Sequence, residues 1–284
     1  MLHFEQSLNS LTRPDSRLSE PTGPRGVTLL DVCGPQSPFL PRVLELFWTL
    51  FPKYRRYMEY IRACSLRHTP EHPNAVGHVW AVYDPALAHG NPDPSSDRTS
   101  SHGSTPSAIV GFQIFNYVAP QRGGRGFGLG AFRGLEREYQ HGGVGAWLLR
   151  GALEQLALDA RDRLEPPPLG HLVEVEPPQG AQGRELFAQK TGAILLEGDY
   201  LEPPMLSGVS YISPQELSGV VPRPMQLVFY PFERQGSLNP QETCALLEGI
   251  YLDYYRLERD DPLLLHACRS VEGLESTASA PLSP

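Results

Sequence analysis

Apolar and polar residues alternate in short stretches along this chain, and elsewhere they recur at helical spacing. Alternation over five to ten residues is typical of strands, whereas recurrence every three or four residues is typical of helices. The predicted strands are residues 27–32, 75–83, 109–118, 129–138, 171–176, 193–197 and 224–230. The predicted helices are residues 38–51, 53–66, a long one ending near Leu164, 184–191, and one capped by Asn239, Pro240 and Glu242. This mixture of elements predicts an α/β (α+β) fold.

The segments between these elements lack apolar periodicity. Residues 1–25 are polar and contain three prolines, which predicts a flexible leader. Residues 84–107 are rich in Asp, Pro, Ser and Gly, which predicts a disordered insertion. We therefore expect one domain at 26–235, a helical extension at 236–269 and a flexible tail at 270–284.

Composition narrows the classes of function. The 284 residues allow one large or two small domains. The formal net charge of −8 argues against a general nucleic-acid-binding surface and favours a cationic amine as substrate. There is neither a signal-peptide pattern nor an apolar run of about 18 residues, so we predict no membrane segment. The four cysteines are far apart, which predicts reduced thiols, no metal site and a cytoplasmic location.

The candidate chemistry begins at a glycine cluster, Gly142, Gly143 and Gly145, placed between a predicted strand and a predicted helix. The first N–H groups of a helix lack internal partners and attract phosphate, and glycine permits close approach. No G-x-x-x-x-G-K-[ST] occurs in the chain, and the cluster is not a G-x-G-x-x-G dinucleotide loop. It is instead Q-x-x-G-x-G, beginning at Gln140, which resembles the pyrophosphate motif of the GNAT superfamily of N-acetyltransferases.

The resemblance covers roughly residues 27–232 and implies a GNAT-like mixed, mostly antiparallel seven-stranded sheet flanked by helices, with an extra C-terminal helix. Downstream, Leu186 and Gly192 match the family's helix-then-strand signature, whereas Phe187 stands at the usual tyrosine and Ala193 at the usual phenylalanine. No clear counterpart of a usual asparagine occurs between Pro177 and Gly183.

The implied cofactor is acetyl-CoA, held largely by main-chain groups. Its pantetheine amides would pair with the backbone of Arg133, Gly134 and Leu135, as a peptide pairs with a strand edge. The backbone N–H groups around the pyrophosphate would be those of His141, Gly142, Gly143, Val144, Gly145 and Ala146. The Gln140 side chain would either assist this loop or cap its turn.

Acetyl transfer to an amine needs a base, an oxyanion donor and, where required, an acid for the leaving thiolate. Glu174 in the fifth strand is the first candidate base, because some GNAT enzymes carry a glutamate in a similar L-E-V strand. Glu136, Glu138 and His141 are alternatives. With Phe187 at the usual tyrosine, the acid would be Tyr200, Tyr211 or a tyrosine of the second helix, or no acid would be needed.

The second predicted helix carries tyrosines on one side. Tyr54 and Tyr57 would either pack in the core or line the acceptor pocket. The resemblance implies an acetyl-CoA-dependent N-acetyltransferase, monomeric or homodimeric, acting on a small-molecule or peptide amine by direct attack in a ternary complex. Two alternatives stay open: a non-catalytic GNAT-like CoA-binding or regulatory module, and an unrelated α/β enzyme that binds a nucleotide with glycines at 121–130.

Overall fold

A computed structural model describes residues 22–68, 73–88, 106–119, 125–176, 192–196, 198–204, 221–233 and 238–278. The strands are β1 Thr28–Asp31, β2 Ala75–Tyr83, β3 Ile109–Val118, β4 Phe127–Leu135, β5 Gly170–Val175, β6 Ile194–Leu195, β7 Tyr200–Glu202 and β8 Arg223–Pro231. The α-helices are α1 Leu40–Leu50, α2 Met58–Ser65, α3 Pro85–Ala88, α4 Val144–Asp162, α5 Pro240–Glu248 and α6 Pro262–Ala278. None of these helices is long and apolar enough to cross a membrane.

The eight strands form a mixed, mostly antiparallel sheet. The chain divides into two compact units, and the division falls within β3, β4 and α4. The first unit comprises residues 1–69, 76–116 and 132–155, with strand order β1-β2-β3-β4. The second comprises residues 70–75, 117–131 and 156–284, with strand order β4-β5-β8-β6 and β7 paired to β8. The sequence had predicted a single domain at 26–235.

The core of the first unit is aromatic on both faces of its strands. On one face, Phe47 of α1 and Phe51, directly after that helix, contact Phe112 of β3 and Phe132 of β4 at ring centroid distances of 4.9–6.1 Å. Large flat rings fill the space between a helix and a sheet and bury much apolar area. On β2, Trp80 is fully buried and packs edge-on to Phe115 of β3. This packing holds β4, and the turn that follows it, against α1.

In the second unit, β5 pairs with β4 on one side and with β8 on the other, and the β4–β5 pairing is parallel. β4 and β5 pair in parallel from Gly128↔His171 to Gly130↔Val173, and this ladder stops there although β5 continues to Val175. On its other side β5 pairs antiparallel with β8 through Val175↔Gln226. A Cβ on Gly130 would lie 2.8 Å from His171 Nε2, so this glycine is required by side-chain packing.

The C-terminal helix begins as the sequence predicted. The Asn239 side chain accepts a hydrogen bond from the Glu242 N–H, and the Glu242 side chain accepts from the Asn239 N–H, with Pro240 at the start. This capping box satisfies two N–H groups that have no partner inside a helix. α5 then widens into a π-helical turn at Gly249–Tyr254.

Several element boundaries differ from the predictions. The sequence predicted seven strands, and the structure has one more, β7. It pairs with β8 from Tyr200↔Met225 to Glu202↔Arg223. The prediction missed it because three residues are too few to show alternation. The predicted tail begins inside α6, which carries buried Val271. The predicted leader ends in a 3-10 turn, Pro24–Gly26.

Two predicted segments fall largely outside the described residues. Most of the predicted insertion, residues 89–105, lies there, although helix α3 occupies its first residues and a 3-10 turn, Pro106–Ala108, follows. The helix predicted at 184–191 lies outside the described residues entirely. The order of the described elements nevertheless follows the predicted order, because the apolar alternation of the buried strands is a local property of the sequence.

Candidate active site

The predicted pyrophosphate loop joins β4 to α4 in the first unit. Leaving β4, the chain makes a 3-10 turn at Arg137–Tyr139, and α4 begins at Val144. Between them, His141 and Gly143 have left-handed backbone angles, with φ of 64° and 83°. A left-handed φ is readily adopted by glycine but disfavoured for histidine. Bends of this kind turn successive N–H groups toward one side, where an anion can bind.

The glycines of this loop differ in what requires them. Gly143 needs its left-handed φ, and a Cβ on Gly142 would lie 2.8 Å from the Arg25 guanidinium. Among the described residues, a Cβ on Gly145 would meet no atom within 4 Å other than those of its chain neighbours and of its own helix backbone. Since Gly145 is helical and unobstructed, neither backbone conformation nor protein packing requires a glycine there. The open space above its Cα is where a ligand could approach the backbone, so the loop fits a phosphate group.

Arg25 lies beside this loop, although the sequence suggested a flexible leader. Its Nη1 donates a hydrogen bond to the Glu138 carbonyl, and its Cζ lies 6.0 Å from the ring centroid of Tyr139. The 3-10 turn that contains Arg25 lies against α4, because a Cβ on Gly23, directly before the turn, would lie 2.6 Å from the Trp147 ring. Arg25 therefore adds a positive charge next to the loop's N–H groups.

The side chains around the end of β4 hold the loop's geometry. Gln140 Nε2 donates to the Leu135 carbonyl at 3.0 Å, so in this structure the glutamine caps the turn. Arg133 Nη1 donates to the Gly145 carbonyl at 2.9 Å and joins β4 to the first turn of α4. Gly134 is buried, and a Cβ on it would lie 2.8 Å from Leu50 and Phe112.

The candidate base lies in the second unit. Glu174 is the first residue of β5 beyond the last β4–β5 pair, and its side chain is partly buried. Its Oε1 accepts hydrogen bonds from two tyrosine hydroxyls, that of Tyr200 on β7 and that of Tyr255 at 2.5 Å. The Tyr200 and Tyr255 hydroxyl oxygens are themselves 3.3 Å apart. The structure thus brings together two residues that the sequence singled out, Glu174 and Tyr200, with a third that it did not.

The surroundings of Glu174 favour a protonated carboxyl at mildly acidic pH. Burial, followed by the negative charge of Glu202, raises the pKa of Glu174 from its ordinary 4.5 to about 7, while the two hydroxyls and Arg223 oppose the increase. Glu202 is itself buried and paired with Arg223 across β7 and β8. Burial and the charge of Glu174 raise the pKa of Tyr200 well above its usual range. A carboxyl with a pKa near neutrality can both take up and release a proton.

The alternative bases are placed less favourably. Glu136 and Glu138 were predicted on the fourth strand, but β4 ends at Leu135 and both residues follow it. Glu136 forms an ion pair with Arg42 of α1 at 2.8 Å, and Glu138 is exposed. His141 is an exposed turn residue with a left-handed φ. These placements leave Glu174 as the carboxylate with the environment of a base.

The predicted acceptor residues belong to the aromatic cluster of the first unit. The rings of Tyr54 and Tyr57 contact Phe132 at centroid distances of 5.7 and 5.3 Å. Tyr57 is 3% exposed, whereas Tyr54 is half-buried. Tyr57 therefore has mainly a packing role, and Tyr54 is the one that can present part of its ring to an acceptor. Two other residues considered from the sequence, Phe187 and Tyr211, lie outside the described residues.

The glycines that suggested a nucleotide loop at 121–130 have another explanation where they are described. Gly128 and Gly130 lie within β4, and Gly126 immediately precedes it. A Cβ on Gly126 would lie 2.2 Å from the Tyr117 hydroxyl, and one on Gly128 2.2 Å from Leu156. Side-chain packing over a strand, rather than a phosphate loop, accounts for these glycines.

Sequence reasoning missed two residues, Arg25 and Tyr255. The Arg25–Glu138 contact spans 113 positions and the Tyr255–Glu174 contact 81, so no local pattern indicates either. For Tyr255, the available signal was a pair of tyrosines one helical turn apart, Tyr251 and Tyr255. Within the described ranges, no group of three or more His, Cys, Asp and Glu residues is placed to hold a metal ion.

No profile of a known protein family matches the chain, and no curated protein matches it by sequence. Solved structures do match. NAA60 from Arabidopsis thaliana, in complex with a bisubstrate analogue, is 13% identical with a TM-score of 0.43, over 73% of this chain and 99% of that one. A protein from Desulfovibrio desulfuricans assigned to the GNAT family of acetyltransferases is 12% identical with a TM-score of 0.40, over 73% and 99%. Naa50 from Arabidopsis thaliana is 14% identical with a TM-score of 0.37, over 72% and 97%.

At these identities and TM-scores the matches support no conclusion about activity, which has to come from the residues of this chain. The similarity is one of fold, and one of the matched proteins is assigned to the GNAT family of acetyltransferases, whose pyrophosphate motif the Q-x-x-G-x-G of this chain resembles.

Proposed function

We propose that the protein is an acetyl-CoA-dependent N-acetyltransferase that moves the acetyl group directly to an amine in a ternary complex. The observation that carries this proposal is the partly buried Glu174, just past the last β4–β5 pair, held by two tyrosine hydroxyls with a pKa raised to about 7. The loop from His141 to Ala146, with Gln140 capping its turn, supports a phosphate-bearing cosubstrate.

In this reaction the unprotonated amine attacks the thioester carbonyl carbon. The C–N bond forms, the C–S bond breaks with its electron pair going to sulfur, and the proton on nitrogen passes to Glu174. The CoA thiolate then takes a proton from Glu174 or from solvent. Because the pKa of Tyr200 is raised, its hydroxyl keeps its proton and acts as a hydrogen bond donor to the carboxylate. Glu174 is the base, and Tyr200 assists it without ionising.

The pKa of Glu174 bears on the class of acceptor. A general base works best when its pKa lies near the operating pH, because it is then largely ionised and can still take up a proton. An α-amino group has a pKa of about 8, whereas that of a lysine amine is about 10.4. A carboxyl with a pKa of about 7 therefore operates near neutral pH, where a larger fraction of the α-amine of an amino acid or peptide than of a lysine amine is unprotonated. We propose that class of acceptor, with Tyr54 as a candidate contact for it.

Titration calorimetry and a thiol-release assay test the proposal. Acetyl-CoA should bind, and Gly143→Glu should abolish binding, because it places a bulky negative side chain at a left-handed position of the loop. Glu174→Gln should retain binding and lose thiol release with α-amine acceptors. Absence of acetyl-CoA binding would refute the proposal. Binding without thiol release above hydrolysis, across α-amine and lysine-type acceptors, would favour the non-catalytic CoA-binding module.

The location of the reaction is also a proposal. The four cysteines are free thiols, and Cys64 is buried with its pKa raised to about 12, mainly by burial. Free thiols persist in a reducing compartment. They support a cytoplasmic location, where acetyl-CoA would be supplied.

A further inference from the structure

The segment after β8 brings tyrosines to the candidate base. α5 continues directly into the π-helical turn Gly249–Tyr254, and Tyr255 ends it with its N–H bonded to the Ile250 carbonyl. Single π-turns within helices are uncommon and are often found at functional sites. Here the turn carries Tyr251 and Tyr255, which are 0% and 3% exposed.

Tyr251 attaches this turn to β7. Its hydroxyl donates to the Leu201 carbonyl at 2.8 Å and accepts from the Leu201 N–H at 3.3 Å. The helix also lies close to β4, because a Cβ on Gly249 would be 2.6 Å from the Phe127 ring. Both contacts fix the position of the turn relative to the strands beside it, so a hydroxyl four residues after Tyr251 is held in place.

In this position Tyr255 contacts the candidate base, Glu174. Its hydroxyl donates to Glu174 Oε1 at 2.5 Å and lies 3.3 Å from the Tyr200 hydroxyl. A carboxylate oxygen can accept two hydrogen bonds, and both of these donors converge on the same oxygen. The carboxyl rotation is thereby fixed by one tyrosine from β7 and one from the C-terminal segment.

We propose that Tyr255 is a positioning residue for Glu174, so that the C-terminal helical segment is part of the active site. The inference rests on the proposed function in taking Glu174 as the base. The effect of Tyr255 on Glu174 does not depend on that function, because the Tyr255 hydroxyl fixes the rotation of the carboxyl and stabilises its ionised form.

The direction of the effect follows from the groups that face Glu174. Tyr200 and Glu202 lie on β7, Arg223 on β8, and Tyr251 and Tyr255 on the C-terminal turn. Hydrogen bonds from the hydroxyls stabilise the ionised carboxylate and lower its pKa. Tyr255→Phe removes one donor and leaves the other groups in place, so the pKa of Glu174 should rise.

The test is a titration of the Glu174 carboxyl by carbon-13 NMR in the full chain without acetyl-CoA, with Glu174→Gln used to assign the signal. Tyr255→Phe should raise the pKa of Glu174 by about one pH unit, a tenfold change in its acid dissociation constant, because the ionised carboxylate loses one hydrogen bond donor. Tyr117→Phe, whose hydroxyl donates to a different carboxylate, Glu165, is the matched control and should leave the pKa of Glu174 unchanged.

An unchanged Glu174 pKa in folded Tyr255→Phe protein would overturn the inference, and so would an equal change in Tyr117→Phe. Replacement of Tyr255 by 3-fluorotyrosine provides a second variant of nearly the same shape. As a stronger donor, it should lower the pKa of Glu174, and a rise would count against the inference. If the pKa responds as expected while no amine is acetylated, the positioning role stands and the proposed function fails.

Discussion

Arg42 Nη2 lies 2.8 Å from Glu136 Oε1, an ion pair that joins α1 to the residue directly after β4. The Glu136 N–H also bonds the Val110 carbonyl at 2.9 Å. The Glu136 carboxylate is thereby engaged by an arginine from α1, while its backbone is held by β3. The pair therefore holds the residues that lead from β4 into the loop, and it does not supply a base.

We accordingly expect Glu136→Gln to leave the pH dependence of acetyl transfer unchanged. The side chains of this pair are 23% and 30% exposed, so the loss of stability should be about 1 kcal/mol or less. The pH profile of kcat/KM and the urea midpoint measure the two quantities. Loss of the acidic limb of the profile would instead identify Glu136 as the base.

Glu202→Gln should lower the pKa of Glu174 below about 7, because the charge of Glu202 is the second cause of the increase, after burial. The acidic limb of the kcat/KM profile should move to lower pH, and the carboxyl titration should follow it. Glu258→Gln, at an exposed position, serves as the control. A shift toward higher pH would mean that Arg223 has rearranged after the loss of the Glu202 charge and that the assumed geometry is wrong.

The raised pKa of Glu174 predicts a loss of stability with increasing pH. The folded protein retains the proton up to about pH 7, whereas the unfolded chain releases it near the ordinary value of 4.5. Between these values the folded state binds more protons, so the free energy of unfolding falls as pH rises. A difference of 2.5 pKa units corresponds to at most about 3.4 kcal/mol. Urea unfolding of wild type and Glu174→Gln at pH 4.5 and pH 8 measures it, and the variant should lose this part of the decrease.

Gly145→Ala should separate binding from stability. In the described part of the chain, nothing beyond the local helix backbone lies within 4 Å of the added Cβ, and alanine is favoured over glycine in a helix by about 1 kcal/mol. The variant should therefore unfold no more easily than wild type and yet bind acetyl-CoA at least about tenfold more weakly, a loss of about 1.4 kcal/mol. Gly273→Ala in α6, equally unobstructed, is the matched control. Wild-type affinity in Gly145→Ala would show that no ligand approaches this backbone.

Arg25→Gln should weaken acetyl-CoA binding by about tenfold or more, because hydrogen bonds between charged groups contribute about 1.5–3 kcal/mol. Arg25→Lys should retain part of the affinity, since it keeps the positive charge. Calorimetry at low and high salt provides the readout, and the difference between wild type and Arg25→Gln should diminish as salt rises. Equal affinity of wild type and Arg25→Gln at low salt would exclude Arg25 from the phosphate site.

What could be predicted from the sequence depended on how local each signal was. β2 and β3 have the predicted bounds because buried residues occupy eight of the nine positions of β2 and all ten positions of β3. The capping box at Asn239 was predictable because its partners are three residues apart. β7 was missed since three residues carry no period, and β4 was placed two residues late because Gly128 and Gly130 contribute no apolar side chain. The partners of Glu174 come from β7 and the C-terminal turn, and only the folded chain brings them together.

The three-pair ladder between β4 and β5 has a consequence for amide exchange. Among the strands that the structure describes, Glu174 and Val175 pair with β8 on one side of β5 and with none on the other. Along such a strand every second N–H points away from β8. Its exchange with solvent depends on whether another group accepts its hydrogen bond on that side. Deuterium uptake along β5 should therefore alternate beyond Val173 in the free protein. Saturation with acetyl-CoA should remove the alternation, if a ligand's amides complete the row of hydrogen bonds.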